Sequence, residues 1–274
     1  MVRVRSIAVE RDRRASLLRN AWLLWGVTAL AFLWGAACGG GKEEPAVTST
    51  PTASPQAATP TPSPTPEPNK FDTSKASALA HSSLPKPADL GAGWTVVSQD
   101  DFTQESPPSS AACAPSATAQ KAFATALETN PAGRANVEMA RSMTDSVLPA
   151  SGSFQIYIYS DAKAAAAPLA AYRTLYEGDA FLKCFEEMTA TAGATVKVTK
   201  GTPSVAAPAG GVAVAYEVAI SAGSITMAMR LETYAWPSSN ALAGVTLSGG
   251  KDVITPALVT TAITKMQAAM AAAR

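Results

Sequence analysis

The clearest pattern in the chain is a strict alternation of Phe154, Ile156 and Ile158 with Gln155, Tyr157 and Tyr159. A period of two over this length predicts a strand. A second alternation sets Val212, Val214, Tyr216, Val218 and Ile220 on one face against Ala213, Ala215, Glu217 and Ala219 on the other. Residues 195–199, 225–236 and 242–247 read as further strands, and 94–98 as a short strand after Gly91 and Gly93. The stretch 221–224, with Gly223, and the stretch 237–240 suit hairpin turns, so the later strands predict an antiparallel meander.

Helical spacing governs other segments. Phe181, Phe185 and Met188 fall at i, i+4, i+7 with Cys184 beside them, behind Asp179 as a cap, and this stripe reads as core packing. Val259, Ile263, Met266 and Met270 form a second stripe, opened by Thr255 as N-cap and Pro256 at the first helical position. That helix is expected to lie across the sheet. Ser160 or Asp161 caps an alanine-rich helix that runs towards Tyr176 and stops at Gly178, with Pro168 expected to bend it. Residues 117–129 and 74–84 have helical composition as well. Together these elements predict an α+β fold, a twisted antiparallel sheet with helices packed on it.

The first 70 of the 274 residues are too biased to join a core. Six arginines (Arg3, Arg5, Arg11, Arg13, Arg14, Arg19) precede an uncharged, apolar run from Ala21 to Cys38. A basic flank, an apolar centre and a small-residue exit match a secretory signal, and the arginines keep that end in the cytoplasm. An uncleaved membrane anchor is the other reading, the run being at the short edge of what a span requires. Residues 42–70 hold eight prolines among Ser, Thr and Ala, a composition that predicts a disordered, extended tether whose hydroxyls are open to O-glycosylation. The domain reading is therefore 1–38 signal or anchor, 39–70 linker and 71–274 folded extracytoplasmic domain. About 200 residues suffice to bury a sizeable core.

Composition removes several function classes. The net charge of +1 conceals basic residues concentrated at the N-terminus, so the folded part lacks the basic stripe of a nucleic-acid binder. One histidine, His81, leaves no zinc or haem set and no serine triad. The pair Gly210-Gly211 is followed by no Lys-Ser/Thr and reads as a turn, not a phosphate loop. Asp100 and Asp101 lack the oxygen-ligand spacing of a calcium loop, while Glu186 and Glu187 read as a solvated helix face. No cofactor, metal or catalytic residue is expected, and the chain reads as no enzyme. Tyr157, Tyr159, Tyr234 and Trp236, on the polar sides of their strands, are candidates to line a ligand groove; the other reading is that the alanine-rich helix covers them.

Ala36 and Ala37 before Cys38 resemble the lipobox of bacterial lipoproteins, although Gly35 stands where a leucine is usual. The resemblance implies acylation of Cys38, with palmitate as an expected chain, and attachment of the mature N-terminus to the membrane. With Cys38 so used, Cys113 and Cys184 remain as an even pair in an oxidising compartment, either a disulfide or two separate buried thiols. Leu90-Gly91-Ala92-Gly93-Trp94, the strand from Ile156 into Asp161, and Phe181 to Cys184 resemble PsbP-like lipoproteins and the extracellular sensor domains of bacterial Ser/Thr kinases. This implies a non-catalytic role, binding a small apolar or amphipathic ligand or serving as a sensor. The alternative is an envelope assembly factor that binds a protein partner.

Overall fold

A computed structural model describes residues 70–101, 110–142, 149–189, 195–222 and 225–273. The expected signal or anchor, the expected lipidation at Cys38 and the linker up to residue 69 lie outside these residues, as does the 223–224 turn; the Met188 side chain is likewise not described. Among the described residues no helix is long and apolar enough to cross a membrane.

The strands are β1 (Trp94–Gln99), β2 (Gly133–Arg141), β3 (Ala150–Ile158), β4 (Thr195–Gly201), β5 (Val212–Ala222), β6 (Ile225–Ser238) and β7 (Ala241–Gly250). The helices are α1 (Ala76–Ser82), α2 (Pro87–Leu90), α3 (Ala114–Leu127), α4 (Ala162–Tyr176), α5 (Asp179–Thr189) and α6 (Pro256–Ala272). All seven strands form one open antiparallel sheet in the order β1-β2-β3-β7-β6-β5-β4. The predicted meander is its β4 to β7 half. The turn at Ser239-Asn240 places Ser239 at φ +57°.

Two strand features depart from the sequence reading. The strand β2 is unpredicted, and β3 begins at Ala150, four residues before its apolar alternation. In β2 only Ala135, Val137 and Met139 are apolar core residues, interleaved with Arg134, Asn136 and Glu138, so neither β-propensity nor a run of large side chains marks it. Gly133 has a steric reason: a Cβ there would lie 2.4 Å from the α1 backbone.

The sheet separates two cores. Phe154, Ile156, Ile158, Val245 and Leu247 face α6 and α1, where Val259, Ile263, Met266 and Met270 supply the predicted stripe. Tyr157, Tyr159, Tyr216, Val218 and Ile220 face α3, α4 and α5. The result is three layers, helix on sheet on helix. Asp161 caps α4, accepting from Ala164 N at 2.8 Å, and Thr255 caps α6, accepting from Leu258 N at 3.3 Å. Helix α4 continues on both sides of Pro168. The Cys113–Cys184 disulfide ties the start of α3 to α5 across 71 positions of sequence.

The domain begins with a clamp. Asn240, fully buried in the β6–β7 turn, accepts from Phe71 N at 2.7 Å and donates to Tyr159 O at 2.7 Å and to Phe71 O at 3.2 Å. One amide thereby fixes the first core side chain, Phe71, to the β3 end of the sheet.

Candidate functional site

The four nominated aromatics do not line a common groove. Tyr157 and Tyr159 lie in the core beneath α3 and α4, while Tyr234 and Trp236 lie in the core on the opposite face, and each is at most 2 % exposed. The register gives the reason. Tyr234 pairs with Val245, which pairs in turn with Phe154, so Tyr234 shares the Phe154 face, one residue parity away from Tyr157. Their hydroxyls are used internally: Tyr159 donates to Leu127 O at 3.0 Å, and Tyr234 donates to Glu232. Burial pushes the Tyr157 and Tyr159 hydroxyls far above the usual phenol range. The space beside Tyr157, Tyr172 and Thr233 amounts to about 40 Å³, room for a water and no more.

Other nominated residues also have structural roles. Glu186, half-buried, accepts from Val198 N at 2.8 Å and so braces β4 where a solvated face was expected, while Glu187 is exposed as expected and accepts from Ser110 Oγ at 2.8 Å. His81 Nε2 stands 3.6 Å from Asp100 Oδ2 at the surface. Gly210, at φ +74°, forms the turn into β5. Among the described residues no three His, Cys, Asp or Glu side chains converge as a metal set.

A buried charge cluster lies on the α6 side of β5 and β6. The fully buried Glu232 accepts from Ser204 Oγ at 2.7 Å, from Ser204 N, from Tyr234 OH and from Arg230 Nε. Arg230 also reaches Glu217 and Thr202 O. Every charge here has partners, which marks the cluster as structural.

The large concave feature is a groove of about 1010 Å³ at the end of the sheet where β1 starts and β2 and β7 finish. The Leu90-Gly91-Ala92-Gly93-Trp94 segment shapes one wall. Gly91 and Gly93 adopt φ +101° and +87°, conformations that side chains resist, and so turn α2 directly into β1. Trp94 then faces inward, paired in register with Arg141, whose side chain passes 3.5 Å from where a Gly93 Cβ would stand. Leu90, Trp94, Val253 and Leu258 supply apolar surface, and the first turn of α6 forms the far wall.

The charges of the groove differ in how they are satisfied. Asp89 accepts from Lys86 N at 2.8 Å and lies 3.3 Å from Lys265 Nζ; the Lys86 N–H is the main cause holding its carboxyl below the usual range. Lys251 is 3.5 Å from Glu217. Arg141 and Asp252 have no ion-pair partner among the described residues. Sequence reasoning picks out the glycine-tryptophan segment but misses Arg141, because it misses β2 itself.

No protein-family model matches this chain. No curated protein matches it either. Among solved structures it is similar to the extracellular domain of PknH from Mycobacterium tuberculosis, at 12 % identity over 73 % of this chain and 97 % of that one, with a TM-score of 0.41. A likeness at that level says nothing of ligand or activity.

Proposed function

We propose that this chain is an exported, membrane-anchored protein, acylated at Cys38, whose folded domain binds an amphipathic small ligand with an anionic head and performs no chemistry on it. One observation carries the reading: the large groove combines a tryptophan-walled apolar surface with Arg141, a cation lacking a carboxylate partner among the described residues. A pocket of this size with a few convergent polar groups is the usual form of a small-ligand site, and a guanidinium is suited to grip a carboxylate or phosphate with two parallel bonds. The oxidised Cys113–Cys184 pair supports an extracytoplasmic location, in keeping with the basic and apolar N-terminal pattern.

The test is organic extraction of the full chain purified from an oxidising compartment, with mass spectrometry of what is released. The expected result is a reproducible acidic amphiphile, reduced at least tenfold in Arg141→Ala and in Leu258→Trp, which fills the groove. An empty chain, or equal ligand in both variants, sinks the reading. Exposed Val96 and Val97 on the edge strand β1 favour a second reading, an assembly factor that docks a protein partner along that edge.

A further inference from the structure

An open sheet has two edge strands, and this sheet guards only one of them. At the β4 edge Lys197 and Lys200 are exposed, and the Glu186 carboxylate of α5 accepts from Val198 N at 2.8 Å. Charge and a covered backbone are the usual means of keeping an edge from pairing with another chain. The β1 edge has neither. Its residues Trp94–Gln99 include no charged side chain and no proline. Beyond the pairing with β2, none of their backbone groups is hydrogen-bonded among the described residues. Val96 and Val97, 49 % and 65 % exposed, are the large apolar side chains that the described residues leave in water. A bulge can itself blunt an edge by twisting it, but the one in β1 leaves Val97 without a β2 partner and so adds an exposed valine, not a charge.

We infer that β1 pairs antiparallel with β1 of a second copy, joining two seven-stranded sheets edge to edge about a two-fold axis. Charge selects this occupant. A two-fold sets a strand against itself, so a lysine or glutamate in it is brought towards its own kind. Thr95-Val96-Val97-Ser98 is neutral throughout and meets no such repulsion in any antiparallel register. What meets instead is β-branched and hydroxyl side chains, pairs that stabilise an antiparallel ladder. Closure agrees with it: with β4 guarded, each copy offers one open edge, so association uses that edge once and stops at two.

The ladder is six residues, about 20 Å long. That is a small contact beside the roughly 800 Å² per partner of a standard interface, so the dimer belongs to the weak class, with a Kd of about 10⁻⁵ to 10⁻³ M. The inference rests on the sheet edge alone and is independent of any ligand in the groove.

Sedimentation of the full chain in detergent, at concentrations spanning that range, tests it, with hydrogen exchange of the β1 amides followed in the same samples. The expected result is a monomer–dimer equilibrium with no larger species, and exchange over Trp94–Gln99 that slows as the dimer forms. Val97→Lys, at an exposed position, sets like charges across the joint and should raise Kd by about tenfold or more while leaving the far-ultraviolet dichroism unchanged. Val97→Thr, neutral and β-branched, should change Kd by less than about threefold. A chain that sediments as a monomer throughout overturns the inference and leaves the edge to the protein partner of the second reading. A dimer whose β1 amides exchange as fast as the monomer's, or whose Kd ignores Val97→Lys, overturns it too.

Discussion

Replacing Arg230 by methionine removes the one guanidinium that serves Glu232, Glu217 and Thr202 O together. Glu217 is part-exposed and keeps Lys251 at 3.5 Å, so it loses little. Glu232 is the sensitive partner, because its side chain is 0 % exposed and cannot recover its lost contact from water. Breaking a buried pair by removing one partner costs about 3–5 kcal/mol. Glu232 retains Ser204 N, Ser204 Oγ and Tyr234 OH as donors, which places the expected loss near the lower end, about 3 kcal/mol. Against the 5–15 kcal/mol that holds a typical domain folded, this is a large fraction. Urea denaturation followed by tryptophan fluorescence measures it. The double variant Arg230→Met/Glu232→Gln removes the uncompensated charge and should regain at least half of the loss. A cost under about 1 kcal/mol for Arg230→Met, or a double variant less stable than the single, would refute the argument that desolvation of Glu232 governs this cluster.

Two further outcomes follow from the geometry. Cutting the Cys113–Cys184 bond, by reductant or by the double serine variant, frees a 71-position loop in the unfolded chain and should lower stability by up to about 4 kcal/mol; coincident urea midpoints with and without reductant would contradict it. Acid should also destabilise the fold. The carboxyls of Asp89 and Asp161 are held low chiefly by the N–H groups of Lys86 and Ala164, so their contribution is complete above the unfolded carboxylate pKa of about 4 and disappears as pH falls through the lower folded values. Urea midpoints measured from pH 7 to pH 2 should fall below about pH 4, less steeply in Asp161→Asn, and a midpoint rising on acidification would reverse the assignment.

Elements whose own side chains carry a period are legible in the sequence alone. The strand β5, the apolar half of β3 and the stripe of α6 announce themselves by spacing, and Thr255 and Asp161 mark helix starts by chemistry. The strand β2 also carries a period of two, Ala135, Val137 and Met139 against Arg134, Asn136 and Glu138, so it is legible by alternation; it goes unpredicted because few of its side chains are β-branched or aromatic. The error over Tyr234 and Trp236 has another origin. Alternation tells which residues of one strand share a face; it does not tell which face of the sheet that is. That information is in the register, through Val245, and pairing is a long-range property. Arg141 is lost with β2.

The Asn240 clamp also sets direction. It grips Phe71 at the start of β7, whereas the groove opens beside Gly250 at the end of that strand. Ten residues of strand lie between them, about 33 Å. Phe71, the first core side chain, is therefore held at the end of the sheet opposite the groove, and under the N-terminal anchoring proposed above the open mouth of a single copy would face away from the membrane.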